Sequence, residues 1–120
     1  MTVRSQAVGA YGERVAARHL VESGYHLIAR NWRVRGGELD IVAVDPEGTL
    51  AFVEVKTRRG VALGYPSESV TPQKLARLRR LAGAWLAEHP HRGRIRLDVV
   101  SVILLPQGAP RVEHMVGVDS

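Results

Sequence analysis

Cysteine is missing altogether from the 120 residues, which excludes disulfide bridges, thiol catalysis and cysteine-based zinc sites. Long apolar runs are missing too. Although 45% of the chain is hydrophobic, nothing approaches the roughly 20 consecutive residues of a membrane-spanning helix. Residues 1–10 lack the apolar segment of a secretory signal, so the cytoplasm is the expected location and no membrane partner is expected. Internal repeats and low-complexity linkers are absent, and 1–120 is expected to form one domain. The five histidines, at 19, 26, 89, 91 and 114, show no metal-ligand spacing on a shared helix face. Lysine is scarce in a basic chain of net charge +5: of 17 basic residues, all but Lys56 and Lys74 are arginine. That charge favours polyanionic partners, nucleic acid first. A lysine kept at position 56 against the arginine bias points to a need for a compact ammonium there.

What is present centres on two apolar stretches, 37–44 and 49–57, joined by the turn signal Asp45-Pro46-Glu47-Gly48. They read as a β-hairpin, yet they carry Asp40, Glu54 and Lys56, charges that apolar strands hold only when paired or metal-bound. Alternation puts Glu54 and Lys56 on one face with Leu50 and Phe52. The position of Asp40 depends on the turn. A four-residue loop, 45–48, sets it against Val53, whereas a five-residue loop, 45–49, sets it against Glu54. A shared site needs the second register, and that register is expected.

A helix is predicted over 5–23, stopped at Gly24. Val8, Tyr11 and Val15 mark one expected buried row. Glu13, Ala16, Ala17 and Leu20 mark another, with Glu13 either a solvated helix acid or a contributor to the hairpin site. Gly9 and Gly12 weaken a helix, by about 1 kcal/mol each, and suggest close backbone approach. A strand is predicted over 25–31, followed by Arg33, Val34 and Arg35. Trp32, between Arg30 and Arg33, is either a stacking surface for nucleic acid or ordinary core. Residues 58–69 read as a basic loop suited to substrate, and Thr71-Pro72 as the capped start of a helix over 72–88. Leu75, Leu78, Leu81, Ala82, Trp85 and Leu86 form its stripe, while Arg77, Arg79 and Arg80 read as a solvated face. Lys74 in the first turn points weakly to a nearby anion. A strand over 94–105 carries Asp98, read as a structural acid paired with an arginine. A last edge strand is expected within 111–118.

Two carboxylates converging beside a lysine suit a hard divalent cation acting on a phosphodiester. Asp40, Glu54 and the Val55 carbonyl would be ligands, Glu13 a further carboxylate, and Lys56 the charge stabiliser. The plain alternative is a Glu38–Lys56 or Glu54–Lys56 ion pair on a solvated sheet face. Gly37-Glu38-Leu39-Asp40-Ile41-Val42-Ala43, followed by Phe52-Val53-Glu54-Val55-Lys56-Thr57-Arg58, resembles the PD-(D/E)xK nuclease signature. Within that superfamily the chain resembles the small bacterial YraN-type family, related to archaeal Holliday-junction resolvases. Gly12-Glu13, Arg30-Asn31-Trp32-Arg33 and Lys74 extend the resemblance over most of the chain. Leu39 stands where the superfamily places proline, a position that ligates nothing.

The resemblance implies an α/β fold with a restriction-endonuclease-like core. That is a mixed sheet flanked by two main helices, in the order α-β-β-β-α-β, with room for an extra C-terminal edge strand. It also implies catalytic positions at Glu13, Asp40, Glu54 and Lys56, a Mg²⁺ or Mn²⁺ cofactor, and hydrolysis of DNA, branched or structured DNA included. DNA is favoured over RNA, with Arg30, Arg33, Arg35, Arg58, Arg59 and Lys74 as the binding residues, and a homodimer is allowed. The competing expectation is a binding or assembly module that keeps the fold without catalysis.

Overall fold

The computed structural model describes residues 3–60 and 70–119. The substrate-loop expectation for 58–69 therefore falls, past Gly60, outside the described residues. The elements are α1 (Val3–Glu22), β1 (His26–Val34), β2 (Gly37–Val44), β3 (Leu50–Arg59), α2 (Pro72–Glu88), β4 (Ile95–Leu104) and β5 (Arg111–Met115). The five strands form one sheet in chain order. Only β3 and β4 run parallel, because α2 lies in the connection between them; the other three neighbouring pairs are antiparallel. The α/β class, the element order and the extra edge strand are as expected, consistent with a restriction-endonuclease-like core. No described helix is long and apolar enough to cross a membrane.

The two helices take opposite faces of the sheet. On one, Ala16, Ala17 and Leu20 of α1 pack on Ile41, Ala43, Ala51, Val53, Val100 and Val102. On the other, Leu78, Leu81, Ala82 and Trp85 of α2 pack on Leu39, Val42, Leu50, Phe52 and Leu97. The central strands are thus covered on both sides, which is why their sequences are nearly continuous apolar runs. The Thr71 cap is as expected: its hydroxyl accepts from the Lys74 N–H at 3.2 Å. Trp32 resolves as core, edge-on to Trp85 with ring centroids 5.2 Å apart.

The row Val8, Tyr11, Val15 is not the buried one. Tyr11 is 41% exposed, and the two valines are only partly covered. The other expected row is: Ala16, Ala17 and Leu20 are buried on the sheet, with Gly12 beside them, because small residues let the helix backbone come close. A Cβ built on Gly12 would stand 1.7 Å from Thr57 Oγ1. Gly12→Ala is therefore expected to lower stability by about 2 kcal/mol or more, measured by urea unfolding, as overpacking against a strand does. Gly9, in contrast, has nothing within 4 Å of such a Cβ, so close approach does not explain it.

Asp98 is fully buried and, as expected, paired with an arginine. Arg96 contacts both its oxygens, at 2.9 and 3.1 Å. His114 of β5 and the Gly117 N–H complete the shell at 2.8 and 2.9 Å. Arg96 also donates to Asp45 and to the Tyr25 hydroxyl, tying the hairpin turn and the chain before β1 to β4. β5 is shorter than its expected span, ending at Met115. The chain beyond it is held by these contacts and by the Val118 N–H on the Leu97 carbonyl.

Candidate acidic active site

The hairpin register sets the site. The turn closes through the Asp45 N–H on the Thr49 carbonyl, and Asp45 Oδ1 accepts from the N–H groups of Glu47 and Thr49. Val44 consequently pairs with Leu50, and the ladder runs back to Ile41 with Val53. This is the five-residue loop, and it brings Asp40 opposite Glu54. At Asp40 the backbone pairing gives way to a side chain: Asp40 Oδ2 accepts the Val55 N–H at 2.8 Å. Leu39 and Val42, three residues apart, nevertheless pack on the same α2-side cluster, as do Ala29 and Trp32 of β1. Simple alternation would send each pair to opposite faces. Both strands slip here, and in β1 the slip coincides with Asn31, the only described non-glycine residue at positive φ (+52°).

Across this irregularity Glu13 of α1 meets Glu38 and Asp40 of β2, with one carboxylate oxygen from each lying within 4.8 Å of the others. The Asn31 Nδ2 group donates to Glu13 Oε2 at 2.7 Å and to Glu38 Oε1 at 3.0 Å. Arg33 Nε donates to Glu38 Oε2 at 2.9 Å. Burial pushes the Asp40 carboxyl up to about 7, and the like charges of Glu13, Glu54 and Glu38 push the same way against the Val55 hydrogen bond. Three close carboxylates, one of them resisting ionisation, form an all-oxygen donor set of the kind Mg²⁺ and Mn²⁺ take. The residues present fit such a cation.

Glu54 is not in that trio. Its Oε1 is ion-paired with Arg77 of α2, so Arg77 does not belong to the solvated face expected for it. Neither of the ion pairs considered for Lys56 forms, since Glu38 binds Arg33 and Glu54 binds Arg77. Lys56 is exposed, with no carboxylate in salt-bridge range among the described residues. The Val55 group described at the site is its N–H. Arg30, Arg35 and Arg59 are exposed, Arg58 and Lys74 half-buried, and Arg33 is engaged by Glu38.

Residue pattern alone did not place Glu38 and Asn31 at the acidic centre. The signal for Glu38 was its spacing two residues before Asp40, hence the same strand face. Asn31 offered only a side chain that tolerates left-handed backbone, visible once a bulge is suspected.

The model of the family described as "Uncharacterised protein family UPF0102" matches residues 12–102, a span that contains Glu13, Asp40, Glu54, Lys56 and Arg77. A UPF0102 protein of Beutenbergia cavernae is 59% identical over 113 residues, covering 93% of this chain and 95% of its own length. One from Kineococcus radiotolerans is 56% identical over 115 residues, with 94% and 93% covered. One from Nocardia farcinica is 53% identical over 111 residues, with 92% and 87% covered.

Proposed function

The chain belongs to the UPF0102 family, and from its acidic centre we propose that it is a metal-dependent, nuclease-like enzyme of the PD-(D/E)xK type that hydrolyses phosphodiester bonds in DNA, branched or structured DNA included. The observation that carries this reading is the convergence of Glu13 and Glu38 on a buried Asp40, whose carboxyl is pushed up to about 7 by burial first and by the neighbouring acids second. Clustering like charges is destabilising, and perturbed groups of this sort concentrate at functional sites. A fold that needed only to bind DNA gains nothing from it.

Asp40, Glu13 and Glu38 would hold Mg²⁺ or Mn²⁺, with Glu54 facing Asp40 across the hairpin. When bound, the cation supplies Lewis acidity toward a phosphoryl oxygen and acidifies water. The chain's own residues do the rest. Lys56, exposed two residues beyond Glu54, offers an ammonium to the charge gathering on the phosphate. Arg30, Arg35 and Arg59 offer exposed guanidiniums to the neighbouring backbone. Asn31 spaces Glu13 and Glu38 through its two hydrogen bonds.

The test is cleavage of plain and branched DNA duplexes with Mg²⁺ or Mn²⁺. Asp40→Ala and Glu54→Ala are each expected to lose about 10²-fold or more in rate while staying folded. Unchanged cleavage in both sinks the proposal. Salt-sensitive DNA binding that ignores both the metal and the two substitutions would establish the non-catalytic binding module instead. Lys56→Ala separates chemistry from structure. With no described carboxylate partner to lose, it is expected to leave the unfolding free energy from urea titration within about 0.5 kcal/mol of wild type while slowing cleavage. A sharp drop in stability would mark Lys56 as part of a structural ion-pair cluster.

A further inference from the structure

We propose that Arg77 is a phosphate-binding residue of this centre, held on Glu54 until substrate arrives, so that taking up a DNA phosphate releases Glu54 to the cation. The inference rests on the metal-centred reading above and adds a coupling between substrate and metal. Three observations carry it. First, Glu54 is ion-paired with Arg77 from the opposite layer of the fold, although the register places it across from Asp40 and within its electrostatic reach. Glu54 is thereby kept from the trio formed by Glu13, Glu38 and Asp40.

Second, the contact is closed on one side and open on the other. The Glu54 side chain is 20% exposed and that of Arg77 is 41% exposed, so an incoming anion reaches the guanidinium before the carboxylate. A guanidinium presents more donors than one carboxylate oxygen uses, and its fork matches a phosphate as well as it matches a carboxylate. Third, Arg77 has cationic company. Lys74 precedes it by one turn of α2, on a neighbouring position of the helix surface. Lys56 lies on the same face of β3 as Glu54. A phosphate bridging these cations competes directly with Glu54 for Arg77.

Thermodynamic linkage makes the idea measurable without turnover. If one guanidinium serves either Glu54 or a phosphate, DNA must tighten cation binding and the cation must tighten DNA binding by the same factor. The experiment is calorimetric titration of Mn²⁺ into the full chain, with and without a short phosphorothioate DNA duplex, after subtracting Mn²⁺ uptake by the duplex alone. Wild type, Arg77→Ala and Arg79→Ala are compared. Arg79 is an exposed arginine of the same helix and controls for the loss of one positive charge.

In wild type, DNA is expected to raise Mn²⁺ affinity about fivefold, the size of a partly exposed ion pair. Arg77→Ala is expected to show that gain without DNA and little further gain with it, while Arg79→Ala behaves as wild type. If Arg77→Ala matches wild type in both titrations, the contact is an ordinary surface pair and the proposal falls. Weaker Mn²⁺ binding by Arg77→Ala overturns it as well, because Arg77 would then be positioning Glu54 for the cation rather than withholding it. Absence of Mn²⁺ uptake by wild type, with or without DNA, overturns the metal reading itself and this inference with it.

Discussion

Asp40→Asn is expected to make the metal-free protein more stable at pH 8, an unusual direction for a change inside a folded core. The Asp40 carboxyl moves from 3.8 to about 7 on folding, because burial and three neighbouring acids disfavour its charge. A carboxyl raised in the folded state contributes its stabilisation in the protonated form. That contribution is complete below about pH 3.8 and is lost as pH climbs through about 7. Above that pH the protein carries an ionised Asp40 that the fold resists, on the order of 4 kcal/mol. An asparagine keeps the oxygen that accepts the Val55 N–H, and its amide can donate to Glu13 or Glu38. Urea unfolding should therefore show Asp40→Asn ahead of wild type at pH 8 and level with it near pH 3.5. Mn²⁺ at pH 8 should narrow the gap by stabilising the wild type alone. An Asn variant no more stable than wild type at pH 8 would show that the cluster is not under charge strain, and would remove the main support for a cation site. Gain of stability on removing a functional group is the signature of a site whose geometry is held against its own repulsion.

The opposite sign is expected at the other buried acid. Arg96→Met should lower stability by about 3–5 kcal/mol, because it leaves Asp98, at 0% exposure, with only His114 and the Gly117 N–H. The same change strips Asp45 Oδ2 and the Tyr25 hydroxyl of a partner, loosening the hairpin turn and the entry to β1 together. Burial alone would raise the Asp98 carboxyl, yet hydrogen bonds from His114, Arg96 and Gly117 outweigh it and hold it below 3.8. A depressed carboxyl contributes stability above its unfolded value and loses it as pH falls through the folded one. In wild type that loss begins as pH falls below about 3.8 and is complete only below the folded value. In Arg96→Met the carboxyl is less depressed, so less Asp98-linked stability remains to be lost in acid, and the deficit against wild type should shrink between urea unfolding at pH 7 and at pH 3. A variant within 1 kcal/mol of wild type would mean that the Asp98 cluster is not what holds β5 and the chain beyond it to the sheet.

These two acids show how differently sequence and tertiary structure bear on function. Asp98 and Asp40 look alike in the chain, each an aspartate between a leucine and a run of β-branched residues. One meets an arginine two residues away on its own strand and a histidine from the edge strand, and becomes structural. The other meets only acids and a backbone N–H, and becomes strained. The local difference is the residue two before each, Glu38 or Arg96, and the rest lies in what other elements bring.

The chain by itself determined the parts governed by short-range rules. Apolar period, the Thr71-Pro72 start and the glycine after α1 marked the helices and strands to within a few residues. The turn at Asp45 narrowed the register to two choices, one of which brings Asp40 opposite Glu54. Only the tertiary structure decided that Glu38 and Asn31 belong to the acidic centre, that Trp32 is core, and that Arg77 rather than Lys56 holds Glu54. Each of those outcomes depends on a left-handed residue and a slip of alternation, or on the face to which the β3–β4 connection delivers α2. Such features displace every side chain beyond them, and the local residue pattern does not encode where those side chains meet.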